Sequence, residues 1–191
     1  MGNKEIKERC GWCTGDALYE EYHDKEWGKP VYDDQTLFEL LILETMQAGL
    51  SWITILRKRK NYRAALDGFD AQKIAAYDQQ KIEELLLNPG IIRYKLKVKS
   101  IVSNAQLFLQ IQKEQGSFSH FIWKYVNHEP IKNAVTDYRQ SPANTTLSTR
   151  MAADLKKLGF KFVGSTTMYA FMQATGMVND HEITCHRYDK V

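Results

Sequence analysis

Leu85-Leu86-Leu87-Asn88-Pro89-Gly90-Ile91-Ile92-Arg93-Tyr94-Lys95-Leu96-Lys97 decides how this chain folds. An apolar run stops at Asn-Pro-Gly, a strong turn signal, and a new helical pattern begins beyond it, with Leu96, Ile101, Ala105 and Leu109 on one side. Two helices joined by a tight turn follow from that pattern. Outward from it the same grammar repeats. Asp16, Asp33 or Asp34, Ser51, Asp70, Asp78 and Ser119 each stand where a helix N-cap belongs. Gly49, Gly159 and Gly176 stand where helices end. The helices expected from these signals include residues 37–46, one from Trp52 to about Tyr62, 148–158 and 166–175. Alternating strand patterns are scarce and only four prolines interrupt the chain. The fold class is all-α.

At 191 residues the chain has one domain's length, enough for a core without disulfides. Residues 127–146, polar and carrying Pro130 and Pro142, read as a long loop that could divide two helical lobes of a single domain over 1–191. Hydrophobic residues make up 43% and charged residues 26%, ordinary for a soluble globular protein. The net charge of +3 is too small to argue for nucleic acid by itself. Met1 to Cys10 lack a signal peptide's apolar core, no segment is apolar enough to span a bilayer, and three cysteines make no secreted disulfide set. A cytoplasmic location and no membrane partner are expected.

The basic residues are clustered. Arg93, Lys95, Lys97 and Lys99 follow the Pro89-Gly90 turn, and a glycine turn before a helix can present backbone N–H groups to a phosphate. This resembles a helix-hairpin-helix element, which grips the DNA backbone rather than reading bases. A second run, Arg57-Lys58-Arg59-Lys60 with Arg63, follows Trp52. Such runs are usually only solvated faces; beside a hairpin turn they add to the case for DNA.

His181 and Cys185 are four residues apart, so in a helix or tight turn both can reach one ion. Cys10 and His23 lie far away in the sequence. Two thiolates and two imidazoles would close a tetrahedral site of the structural kind. Spacing alone leaves other choices open, because Cys10 and Cys13 form a Cys-x-x-Cys pair and His186 adjoins Cys185. Trp12, Tyr19, Tyr22, Trp27 and Trp52 make an aromatic concentration; any one of them could simply be core. Glu44 falls three residues after Leu41 and four after Leu40, where the buried stripe calls for an apolar side chain. A carboxylate there is costly without a partner, and a cationic, hydrogen-bonding ligand would be one.

Cys10-Gly11-Trp12, Tyr22-His23-Asp24, Glu26-Trp27-Gly28 and Glu44 with Gln47-Ala48-Gly49-Leu50-Ser51-Trp52 form an ordered set of motifs. It continues through Gly90-Ile91-Ile92-Arg93, Phe121-Ile122-Trp123, Val126-Asn127, Gly159-Phe160-Lys161-Phe162-Val163-Gly164 and Val178-Asn179-Asp180-His181. With them the chain resembles, over nearly its whole length, the type I 3-methyladenine DNA glycosylases of bacteria. The resemblance implies a helix-hairpin-helix glycosylase fold and hydrolysis of the N-glycosidic bond of 3-methyladenine in double-stranded DNA. It implies a structural zinc on Cys10, His23, His181 and Cys185 that joins the N- and C-terminal segments and leaves Cys13 a packed thiol. It places the base pocket at Trp12, Tyr19, Tyr22, Trp27, Glu44 and Trp52, with Glu44 as the key acidic residue. DNA-backbone contacts are expected at Pro89, Gly90, Arg93, Lys95 and Lys97, in a monomer. Many relatives carry a catalytic aspartate about twenty residues past the hairpin; residues 104–120 contain none, as this branch leads one to expect. Two other readings of the same residues compete with it. A DNA-binding module without catalysis would fill the pocket with core, and a zinc hydrolase would leave an open metal position.

Overall fold

The computed structural model describes residues 7–191, so the first part of the polar N-terminal stretch lies outside the described residues. Among those described, nine α-helices run in order: α1 (Ala17–Lys25), α2 (Asp34–Gln47), α3 (Trp52–Ala65), α4 (Ala71–Ala75), α5 (Gln79–Leu87), α6 (Lys95–Gln115), α7 (Phe118–Trp123), α8 (Thr146–Leu158) and α9 (Ser165–Ala174). The two-residue strands β1 (Ile131–Lys132) and β2 (Val178–Asn179) pair in parallel. No described helix is long and apolar enough to cross a membrane.

Short polar side chains start most of these helices. Asp16 accepts from the N–H groups of Leu18 and Tyr19, Asp33 from Thr36, Asp70 from Gln72 and Lys73, and Asp78 from Lys81. Each satisfies N–H groups that a helix start leaves without partners. Three starts differ from the sequence reading. α7 is capped by Ser117, whose Oγ accepts from His120 N–H, while the Ser119 N–H donates to Asp34. α8 begins earlier, with Thr145 and Ser148 capping each other's backbone. Ser51 holds the N-cap position of α3 but pairs its hydroxyl with Thr54.

α2 is the central element. Residues 37–46 are all buried, and the helix packs on α3, α6, α7 and α9. An apolar helix surrounded in this way must carry Glu44 inside. Gly49, in the left-handed region at φ +80°, turns the chain sharply from α2 into α3. The buried apolar residues form one contiguous cluster from Cys10 to Cys185.

Residues 127–146 are more than a loop. β1 lies beside β2, Asn133 N–H donates to Asn179 O, and Val135 pairs with Glu182. A turn of 3-10 helix, Tyr138–Gln140, follows. This stitching lays the stretch along the segment that bears His181.

Candidate active site and metal cluster

The ligating atoms of Cys10, His23, His181 and Cys185 all lie within 4.8 Å of one another, and all four residues are buried. His23 Nε2 is 3.1 Å from His181 Nδ1, Cys10 Sγ is 3.5 Å from His181 Nδ1, and Cys185 Sγ is 3.4 Å from His23 Nε2. The outward ring nitrogens are held by acceptors: His23 Nδ1 by Asp24 at 2.9 Å and His181 Nε2 by Trp27 O at 3.2 Å. That arrangement fixes the tautomers with both inner nitrogens free to ligate, the usual outer support of a metal-bound imidazole. Arg9 grips Asp24 through two 2.9 Å bonds. Against the upward push of burial, Arg9 and His23 bring the Asp24 carboxyl down to about 2. The two thiols behave as a pair. Hydrogen bonding to Cys185, then burial, raises Cys10; Cys10 first, against burial, and then His181 and His23 pull Cys185 down toward thiolate.

Position favours these four over the alternatives left open by spacing. Cys13 turns its thiol to Cys10 O at 3.2 Å, and His186 faces Glu8 O and Asp24. Room for His181 depends on Gly28, where a Cβ would come 2.8 Å from His181 Nε2. The four residues fit a tetrahedral metal ion, with thiolate and imidazole donors converging in a dry site.

Beside this cluster lies a cavity of about 230 Å³, lined by Trp12, Tyr19, Tyr22, Trp27, Glu44 and Trp52 together with Gln47, Tyr138, Ser141, Ala170, Gln173 and Asp180. All six residues expected to form a pocket therefore come together. The Trp12 ring stands edge-on to Tyr19 at 4.7 Å and to Trp27 at 4.9 Å, and Tyr22 leans on Trp52 at 5.4 Å. Three buried polar atoms on these walls have no protein partner: Glu44 Oε2, Trp12 Nε1 and Trp52 Nε1. An unpaired buried group costs about 1–3 kcal/mol, so a fold that keeps three of them around one cavity is arranged for something to enter. Burial pushes the Glu44 carboxyl up to about 8. It raises Tyr19 to about 12 and lifts Tyr22 well above its ordinary value, with Glu44 adding to both. Asp180 is the second carboxylate on the walls, held by Tyr169 Oη at 2.6 Å, Gln173 Nε2 at 2.7 Å and Asn133 Nδ2 at 2.6 Å.

Sequence reasoning missed six wall residues. Gln47, one helical turn beyond Glu44, and the pair Ala170 and Gln173 follow from helical spacing. Asp180 stood in a motif that was read only for His181. Tyr138 and Ser141 gave no signal, because they lie where no periodicity operates.

A family model for methyladenine glycosylase matches residues 12–188. The chain is 48% identical over 181 residues to DNA-3-methyladenine glycosylase 1 of Escherichia coli (strain K12), covering 95% of this chain and 97% of that one. It is 49% identical over 177 residues to the DNA-3-methyladenine glycosylase of Haemophilus influenzae, covering 93% and 96%. The chain belongs to the methyladenine glycosylase family. Among solved structures, one described as the structural basis of 3-methyladenine recognition by 3-methyladenine DNA glycosylase I from Staphylococcus aureus superposes with a TM-score of 0.91. It shares 38% identity over 94% of this chain and 96% of that one.

In this methyladenine glycosylase the basic elements differ from their sequence reading. Lys97 is a correction: its ammonium is buried and donates to Met46 O at 2.7 Å and Ala48 O at 2.6 Å, capping α2, so it is not free for phosphate. Burial lowers its pKa. The N–H groups of the Pro89-Gly90 turn are also engaged: Gly90 with Asn88 Oδ1, Ile91 with Asn88 O and Ile92 with Tyr62 Oη. α3 holds the turn from outside, through Lys58 to Pro89 O and Asn61 to Gly90 O. In the second basic run Arg57 pairs with Asp16, Arg59 with Glu26 and Glu39, and Arg63 with Glu39. Pro89, Arg93 and Lys95 are exposed, and α6 starts at Tyr94 without a side-chain cap. α9 likewise starts at Gly164 without one.

Proposed function

We propose that this chain excises 3-methyladenine from double-stranded DNA, hydrolysing the N-glycosidic bond to leave free base and an abasic site. The observation that carries it is the cavity itself. Its aromatic walls surround three unpartnered polar atoms, one of them on the buried carboxyl of Glu44. The relatives' name supplies the base. Their 3-methyladenine, while still in DNA, is a cation, because methylation at N3 leaves the ring positively charged.

The chemistry follows from that charge. When the bond between the base and the sugar carbon breaks, its electron pair goes to the base, which leaves neutral without being protonated. The positive charge passes to the sugar, and water adds there and gives up a proton. The protein's work is extraction, recognition and electrostatics. The rings of Trp12, Tyr19, Tyr22, Trp27 and Trp52 favour a flat cation over a neutral base. Glu44 accepts from the exocyclic amine, and the cation beside it favours the ionised carboxylate, offsetting the upward push of burial. A base held there supplies the partners that Glu44 Oε2 and the indole N–H groups lack.

Zinc suits the four-donor cluster, and it would tie together segments that carry Trp12 and Trp27 on one side and Asp180 on the other. In this reading the metal is structural, with all four positions taken by protein. The DNA backbone is met by the uncapped start of α6 with Arg93 and Lys95, and by the start of α9 near Lys161, in the manner of helix-hairpin-helix proteins. Every wall of the cavity comes from one chain, so a monomer suffices. An open cavity argues against a non-catalytic module whose pocket is filled with core. The test is incubation of the purified protein with methylated duplex DNA and identification of every released base. Release of no methylated base would overturn the reading.

A further inference from the structure

The stretch between β1 and α8 gives the cavity two walls, Tyr138 and Ser141. Tyr138 is held unlike the others. It opens a single 3-10 turn and stays 38% exposed. Its backbone is nevertheless fixed, because the Tyr138 N–H donates to one oxygen of Glu182 at 2.9 Å while the Gly11 N–H donates to the other at 3.0 Å. One carboxylate thus couples this turn to the residue that precedes Trp12. The ring lies against Gly11, where a Cβ would come 2.7 Å from Tyr138 Cε1. Gly11 does not adopt the left-handed region, so the ring, rather than the backbone, is what asks for glycine.

A second cavity of about 340 Å³ adjoins the first. It shares Ser141 and Asp180 with it and is lined also by Asp137 and Gln140. The segment 137–141 is therefore the partition between the two, with Tyr138 on the aromatic side. We propose that Tyr138 is a specificity-determining wall of the base pocket, confining it to a methyl-sized substituent. Removing the ring widens the first cavity on the side of the 137–141 segment and admits bulkier N3-alkyl adenines. The inference rests on the 3-methyladenine reading given above.

Calorimetric titration of free 3-methyladenine and free 3-benzyladenine into wild type, Tyr138→Phe, Tyr138→Ala, Gly11→Ala and the Gly11→Ala/Tyr138→Ala double variant tests it. Tyr138→Ala is expected to bind 3-methyladenine roughly tenfold more weakly, as loss of a base–aromatic contact does. The same variant should bind 3-benzyladenine more tightly than wild type does. Tyr138→Phe, which keeps the ring, should keep the wild-type order of preference between the two bases. Gly11→Ala, which keeps every wall side chain but pushes the Tyr138 ring aside, should shift preference the same way and add nothing in the Tyr138→Ala background. An unchanged preference in Tyr138→Ala would overturn the wall alone, as would full additivity of the two substitutions. Wild-type protein that binds neither base would overturn the 3-methyladenine reading, and the wall with it.

Discussion

Cys10, His23, His181 and Cys185 on one side, and Trp12, Glu44 and Trp52 on the other, are both buried polar sets. They are neighbours: the Trp12 ring centre is 5.5 Å from that of His23, and the Trp27 ring 4.7 Å from that of His181. In the first set each donor has a partner, and the partners have partners in turn, out to Arg9. In the second, Glu44 Oε2 and both indole nitrogens have none. The first set is closed on itself, as a structural cluster is. The second is left incomplete, which is what the proposed base pocket requires. Burial alone does not distinguish a structural polar cluster from a binding site; the count of unmet partners does.

The largest test of that contrast is His181→Ala. Opening a buried cluster of this kind belongs with substitutions that cost more than about 4 kcal/mol, so Tm should fall by on the order of 10 °C, with metal content falling alongside. Elemental analysis and a melting curve read both. Full metal occupancy would remove His181 from the ligands, and metal loss in Cys13→Ser would reopen the choice between thiols.

Glu44→Gln should move stability and affinity in opposite directions. Free 3-methyladenine should bind about ten- to a hundredfold more weakly, the worth of a hydrogen bond to a charged group. The folded protein should gain. Glu44 is held neutral up to about pH 8 when folded, against an ordinary value of 4.5. Its contribution to stability is therefore complete below pH 4.5 and is lost as pH rises through 8. The variant has no such loss, so its advantage should widen by about 1.4 kcal/mol per pH unit across that window. Melts at several pH values check it, and a variant less stable than wild type at pH 8 would make Glu44 structural.

Smaller effects separate two lysines of one helix. Lys97→Met leaves the carbonyls of Met46 and Ala48 short of a donor and should cost about 1–3 kcal/mol, with the salt dependence of duplex binding unchanged. Lys95→Glu should flatten that salt dependence and leave Tm near wild type. Exchange of these two outcomes would restore Lys97 to the DNA face.

Helices were legible because aspartates announce them, and the side chain that reaches a free N–H decides the start. Ser117 and Ser119 look alike in sequence; only Ser117 makes that reach in α7. Glu44 was legible because it interrupts an apolar stripe. Lys97 was not, because a lysine in a basic run reads as exposed, and only the packing of α6 on α2 shows that helix ending against its ammonium. The metal ligands needed the family resemblance to be paired across the chain, and Tyr138 needed coordinates.

Cys10 and His181 meet across 171 positions of sequence. The entropy of closing so long a loop grows only slowly with its length, but such distant pairings form slowly. Helices such as α6 need only local contacts, whereas Trp12 and Trp27, both on the N-terminal segment, come to face Asp180 only once the two segments have joined. The cavity is therefore a product of the whole chain, since its walls run from Trp12 to Asp180 and take their places only when both ends of the sequence are in position.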